Sequence, residues 1–356
     1  MASTDDKPAL KITLEDLAKV NLPQQAAQAA AAASPAAATG ARQYGNISTT
    51  GTEPVVADEG KSNIFLQGWF YLGVAGLLGS LVGWGIGEPF FHDGGVHTLG
   101  DWLLIPMVVA FICVGLGVAE SIVERSSRKA LLRGLQALGA GALGGLIFNF
   151  VAGMIFAIVR AIVIEMGVQT YRNPGFWVAR GIAWMVFGVA GGIVYGLVGR
   201  SGKKMRYGIL GGMLGALIGG LVFDPISMLT NRGGPSRAVG FALLGLATGV
   251  AMGIVESALK DRWLYVASGP LAGKQFILYK PVTVIGSSQQ CDIYLFKDNT
   301  IQPQHASIEL RGAQTFLHAT GQAFVSGQPA RNRALATGDL IQIGRYAFHF
   351  RERQRN

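Results

Sequence analysis

Carboxylates set at the ends of apolar runs are the first residues in this chain with chemistry to offer. Glu120 lies in Gly117-Val118-Ala119-Glu120-Ser121 and Glu256 in Gly253-Ile254-Val255-Glu256-Ser257, and acids at membrane depth often mark ion or proton routes. Both fall within about two helical turns of basic clusters, Arg125 with Arg128 and Lys260 with Arg262, which favours the headgroup level over the bilayer midplane. Glu88 and Asp224 each precede a proline, where a helix is expected to end. Arg160, in Ala157-Ile158-Val159-Arg160-Ala161, sits deeper: it is either a functional intramembrane charge or a side chain that snorkels or pairs with Glu165. The histidines His92, His97, His305, His318 and His349 lack metal-ligand spacing. His92, Asp93 and His97 are close together but have no firm third ligand, so no metal and no cofactor are expected. Glycines fall in apolar runs, not in a loop between strand and helix with its lysine, which excludes a phosphate-cradling motif. No catalytic arrangement emerges, and the chain is not expected to be an enzyme.

The elements that carry these residues are predominantly apolar. Of 356 residues, 50% are hydrophobic and 14% charged, with 51 glycines. Six stretches, near 64–87, 102–123, 135–164, 176–198, 207–229 and 237–259, are long enough to cross a bilayer as helices. Lys and Arg concentrate in the connections after the second, fourth and sixth stretches, as in Arg125, Arg128, Lys129 and Arg133, or Arg200, Lys203, Lys204 and Arg206. This bias places those connections, and both termini, in the cytoplasm of a multi-pass protein of a plasma or inner membrane. The same cations can attract anionic membrane lipid, so the formal charge of +9 does not call for nucleic acid. Cys113 and Cys291 are too few and too far apart for a disulfide framework. Residues 1–62 divide into a short amphipathic segment (Leu10, Leu14, Leu17 and Ala18 on one face) and an Ala-, Gln- and Pro-rich tether, expected to be disordered and cytoplasmic.

The membrane part, 63–260, reads as three helical hairpins from one repeat. Leu146-Ile147-Phe148-Asn149 aligns with Leu221-Val222-Phe223-Asp224, and Gly117 to Ser121 aligns with Gly192-Ile193-Val194-Tyr195-Gly196 and with Gly253 to Ser257. Glu88 and Glu120 are 32 residues apart, as are Asp224 and Glu256. Glycines four apart, such as Gly211, Gly215 and Gly219, or Gly245, Gly249 and Gly253, make small faces that either let backbones pack closely or line a narrow pathway. Such faces also allow a homo-oligomer.

From 261 to 356 the pattern changes to short alternating runs separated by turn residues, the mark of an all-β sandwich. Strands are expected at 276–278, 282–285, 293–295, 306–310, 316–318 and 340–343, with a last one at 346–350. Thr283-Val284-Ile285-Gly286-Ser287-Ser288, Ile301-Gln302-Pro303-Gln304-His305-Ala306-Ser307, Ala319-Thr320-Gly321 and Thr337-Gly338-Asp339-Leu340-Ile341-Gln342-Ile343-Gly344 together resemble the signatures of forkhead-associated (FHA) domains. The resemblance implies a phosphothreonine-reading fold whose ligand loops hold Gly286, Ser287, Ser288, Gln302, His305, Thr320 and Gly321. Ser287 stands where that family carries Arg, Gln302 where it carries Ser and Pro303 where it carries Arg; His305 is retained, in a loop-bracing role. A phosphate needs charge-assisted donors, and Ser287 has no charge. The expected function is a membrane-anchored signalling or interaction adaptor that binds a cytoplasmic protein or phosphoprotein without standard phosphothreonine reading. The alternative is a small three-hairpin transporter or channel regulated by the FHA-like module.

Overall fold

The computed structural model describes residues 63–92, 99–167, 173–229 and 233–353. The N-terminal arm, Asp93 and His97 lie outside the described residues. Six helices come first: α1 (Gly68–Gly87), α2 (Leu99–Val123), α3 (Ser127–Glu165), α4 (Pro174–Val198), α5 (Gly202–Leu229) and α6 (Gly234–Leu259). All six are long and apolar enough to cross a membrane. Each packs on its neighbours in sequence, and α6 returns to α1, so the helices close into a ring.

Glycine makes this closeness geometrically available. A Cβ on Gly249 would run into the Leu72 carbonyl, one on Gly76 into the Gly245 carbonyl, and one on Gly188 into the backbone of Gly212. In a lipid environment, where apolar burial gives little drive between helices, such contacts supply the packing. Leu72, Leu104, Leu116 and Met252 fill the interior, whereas α3 leaves Leu143, Ile147, Phe150 and Ile158 exposed.

At the end of the ring away from the C-terminal module, two seams are clamped alike. Arg180 Nε of α4 lies 2.9 Å from Asp224 Oδ2 of α5, its guanidinium 5.3–5.8 Å from the rings of Phe156, Trp184 and Phe223. Arg237 Nη2 of α6 lies 2.5 Å from Glu88 Oε1, and Trp84 Nε1 donates to Glu88 Oε2 at 2.8 Å. The chain does end α1 at Gly87, in a 3-10 turn over Glu88–Phe90. Asp224 differs from expectation: α5 continues through Pro225 to Leu229. Arg180 holds the acid inside the helix, and Ser227 Oγ donates to the Asp224 carbonyl at 3.0 Å. Helix α3 likewise starts at Ser127, well before the apolar stretch, because straight-chain residues such as Arg128, Lys129, Leu131 and Arg133 sustain a helix whatever their hydropathy.

The C-terminal sandwich comprises β1 (Arg262–Ser268), β2 (Gln275–Ile277), β3 (Val282–Gly286), β4 (Ile293–Tyr294), β5 (Ala306–Arg311), β6 (Gln314–Ala319), β7 (Ala323–Val325), β8 (Gln328–Pro329), β9 (Asn332–Leu335), β10 (Leu340–Ile343) and β11 (Tyr346–Glu352). Strands order as β2-β1-β11-β10-β7-β8 in one sheet and β4-β3-β5-β6-β9 in the other. Alternate residues of the two sheets meet in one core: Leu264, Val266, Ile341, Phe348 and Phe350 from the first, Ile285, Ile308 and Leu317 from the second. Ser326 (φ 50°) and Gly327 (φ 77°) form the left-handed pair that a two-residue hairpin between β7 and β8 requires.

Candidate ligand loops and the polar node beneath the sandwich

Strand β3 ends at Gly286, where a Cβ would strike the Pro303 carbonyl, so the β3–β4 and β4–β5 loops can lie against each other. They are stitched by main chain: Ser287 N donates to Gln302 O at 3.0 Å and Ser288 N to Pro303 O at 3.2 Å. The Ser287 hydroxyl is itself engaged, donating to Ile301 O at 2.8 Å. His305, 3% exposed, pins the β4–β5 and β6–β7 loops together. Its Nδ1 accepts from Gln302 N at 3.1 Å, its Nε2 meets Gln322 O at 2.9 Å, and Gly321 leaves room for the ring. Thr320 Oγ1 donates to Gln304 O at 2.7 Å. The ligand-loop residues are thus brought together; Gln290, Gln302, Pro303, Gln304, Thr320 and Gln322 are exposed around them and uncharged, and Lys297, Asn299 and Thr300 are exposed further along the β4–β5 loop. Cys291 Sγ donates to Pro303 O at 2.9 Å, and burial pushes its thiol above the ordinary range, against nucleophilic use.

The opposite side of the module rests on the helical ring, where the structure gathers a group of residues that sequence reasoning found only in part. Helices α2 and α4 finish with the same turn. Ser126 N bonds back to Ser121 O and Ser201 N to Gly196 O, with Arg125 (φ 53°) and Arg200 (φ 51°) in left-handed conformation. Aligned on this turn, Glu120 corresponds to Tyr195 and Lys129 to Lys204. Lys204, 4% exposed, turns inward and places Nζ 2.5 Å from Glu120 Oε1 and 4.2 Å from the Tyr195 ring centroid. Arg133 Nη1 adds a contact of 3.4 Å to Glu120 Oε2. Glu256, also 4% exposed, accepts from Tyr195 Oη at 3.1 Å and from Tyr279 Oη of the sandwich. Burial, then the adjacent Glu256 carboxylate, push the Tyr279 phenol well above its ordinary value, keeping it a donor.

Two further ties bridge ring and sandwich. Lys274, 2% exposed in the β1–β2 connection, lies 3.0 Å from Glu124 Oε1, itself 5% exposed. Lys129 Nζ reaches Cys291 O at 2.5 Å and Glu124 Oε2 at 3.5 Å. A cavity of about 100 Å³ remains among these groups, lined by Tyr71, Glu120, Glu124, Lys204, Glu256, Lys274 and Tyr279 among others. Glu120 and Glu256 therefore converge, whereas Arg160 lies exposed on α3 and lines neither this cavity nor a second one of about 510 Å³ beside Lys203 and Arg262. Glu124, Lys274 and Tyr279 escaped the sequence reading, and Lys204 entered it only as a topogenic cation. Tyr195 had left a signal, since Gly192 to Gly196 aligns in sequence with Gly117 to Ser121 and Gly253 to Ser257 and sets Tyr195 level with the two acids. Among the described residues no three His, Cys, Asp or Glu side chains cluster as a metal site.

Residues 265–354 match the family described as the inner membrane component of T3SS, cytoplasmic domain. The glycogen accumulation regulator GarA of Mycolicibacterium smegmatis is 34% identical over 90 residues, covering 24% of this chain and 56% of that protein. An oxoglutarate dehydrogenase inhibitor of Corynebacterium efficiens is 33% identical over 90 residues, covering 24% of this chain and 63% of that protein. The C-terminal region matches forkhead-associated domains. An FHA domain of known structure from Chlamydia trachomatis superposes on 27% of this chain and 100% of its own, with 22% identity and a TM-score of 0.25. The chain spans somewhat over half the length of the curated relatives it matches, and the similarity lies in the FHA-like module, outside the six helices.

Proposed function

We propose that this chain is a multi-pass membrane protein whose six helices anchor an FHA-like adaptor module at the cytoplasmic face, and that the module contacts a protein partner without standard phosphothreonine reading. The observation that carries the second half is the uncharged surface around His305: the hydroxyl of Ser287 is held by the Ile301 carbonyl, and the exposed residues flanking His305 in sequence and hydrogen bonding, Gln302, Pro303, Gln304, Thr320 and Gln322, are uncharged, the exposed cation of the β4–β5 loop being Lys297. Replacing the hydration of a phosphate dianion takes a guanidinium or several charge-assisted donors. Neutral amides and a hydroxyl suit an unphosphorylated polar segment instead.

Membrane insertion with cytoplasmic termini is supported by the basic residues that follow α2, α4 and α6, at the end of the ring where the sandwich rests. It is also supported by the matched family's description as an inner membrane component. Three hairpins from one repeat are supported by the paired clamps Glu88–Arg237 and Asp224–Arg180, and the domain limits 1–62, 63–260 and 261–356 follow this division. A transport pathway is disfavoured by helices that meet backbone to backbone at Gly76, Gly188 and Gly249.

Photo-cross-linking in cells tests the adaptor reading. A probe at Gln304, on the surface around His305, is expected to capture a discrete cytoplasmic protein, while a probe at Gln314, at the other end of β5 and β6, captures none. Equal capture at both positions, or labelling of Gln304 from the non-cytoplasmic side, overturns it.

A further inference from the structure

A module joined to a membrane anchor by a simple tether would meet it through a small, hydrated contact. Here the contact contains four charged side chains at 5% exposure or less, namely Glu124, Lys204, Glu256 and Lys274. Groups so buried must keep their partners, because an unpaired buried charge is far more costly than the net worth of a pair. The partners form a continuous chain. Tyr279 of the sandwich donates to Glu256 of α6, which accepts from Tyr195 of α4. The Lys204 ammonium of α5 sits over the Tyr195 ring and pairs with Glu120 of α2, which Arg133 of α3 also meets. Five of the six helices are thereby linked to one phenol of the sandwich.

The members are not scattered choices. Glu120, Tyr195 and Glu256 occupy the same position in the three aligned helix ends, so the ring brings equivalent residues to one point. Around that point the repeat is broken: two acids and one phenol surround Lys204, and Glu256 has no cation within ion-pair distance among the contacts of the described residues. Its donors are one hydroxyl from the ring and one from the sandwich. Undocking would leave its carboxylate to Tyr195 alone and open the cavity beside it to water.

We propose that the helical ring and the FHA-like module are energetically coupled through this node, with Tyr279 as the closing residue, so that the docked state of the module sets the packing of the helix ends and the helix ends set the docking of the module. Coupling of this kind is reciprocal, and its two states are docked and undocked. The proposal goes beyond the adaptor reading and requires no ligand, so it stands or falls independently of what the surface around His305 binds.

Amide hydrogen exchange on the full chain in lipid nanodiscs tests it in both directions. Tyr279→Phe is expected to raise exchange at least tenfold, about 1.4 kcal/mol, in the last turns of α2 (117–124), where Tyr279 makes no hydrogen bond. Glu120→Gln, whose hydrogen bonds lie within the ring, is expected to raise exchange comparably in residues 275–283 of the sandwich. Should Glu120→Gln disturb ring folding, Tyr195→Phe, which removes one hydroxyl, carries the same expectation. Arg311→Gln on the exposed β5 end serves as the control and should change neither segment. Changes confined to the mutated half would overturn the proposal. So would a general loss of protection that includes β5 and β6.

Discussion

Replacing Lys274 by Met in the full chain tests the seam at its most buried ion pair. The two side chains are 3% and 6% exposed and 3.0 Å apart. Removing one partner of such a pair costs about 3–5 kcal/mol, chiefly because the other charge is left in a poor solvent. Lys129 Nζ remains 3.5 Å from the second Glu124 oxygen, which places the expected cost near the low end, about 3 kcal/mol. Trypsin cleavage after Lys260, in the half-buried link between α6 and β1, or after Arg262 at the start of β1, reports opening of the seam. When reclosing is fast, its rate follows the open population. The expected acceleration is on the order of a hundredfold, since each ~1.4 kcal/mol is a factor of ten. Glu124→Leu alone should act similarly by stranding Lys274. The double variant, with an apolar pair of comparable volume, should return to within about tenfold of the parent, because such replacements are often neutral or better. A double variant cleaved as fast as the faster single, or single variants indistinguishable from the parent, would refute a buried, mutually dependent pair.

Other outcomes follow from the packing and the loops. His305→Ala should destabilise the sandwich by about 2 kcal/mol, seen as a lower thermal midpoint of the full chain, because it strips bonds from Gln302 N and Gln322 O. Gly249→Ala should cost roughly 1–3 kcal/mol of ring stability through its clash with the Leu72 carbonyl. Gly85→Ala, with nothing nearby, should leave detergent resistance unchanged or improved. Burial alone would raise the Asp298 carboxyl, but bonds from Thr300 and from the Arg345 amide outweigh it and hold it below the usual range. Its contribution is therefore full above the unfolded value of about 3.9 and is lost as pH falls through the lower folded value. Acid titration of Asp298→Asn should show a shallower decline in that window than the parent.

Much of this architecture was legible in the sequence for physical reasons that also explain the gaps. Hydropathy finds the six helices because lipid-compatible runs are long, but it places the start of α3 too late, since Arg128 and Lys129 extend the helix while lowering the average. Strands β3, β5, β6, β10 and β11 announced themselves by alternation. Strand β1 follows α6 after only Lys260 and Asp261 and was absorbed into the membrane connection, and β8 and β9 are short, polar and at sheet edges. That the loops of Gly286, Gln302, His305 and Gly321 converge was readable because glycines and His305 fix them locally. The node was not: Lys204 looked like one more topogenic cation, and Glu124 and Lys274 are 150 residues apart. Proximity to basic residues set Glu120 and Glu256 near the helix ends, where the structure has them, but gave no sign that Tyr195 of the ring and Tyr279 of the sandwich would meet at Glu256.

One binding measurement decides whether the FHA-like module recognises a protein partner without phosphate. The full chain in nanodiscs, beside a Ser287→Arg variant, is presented with matched phosphothreonine and unphosphorylated peptide libraries. The parent is expected to show no preference for phosphate, and Ser287→Arg to gain one as a guanidinium replaces the engaged hydroxyl. Phosphate-dependent binding by the unaltered chain would contradict phosphate-free recognition.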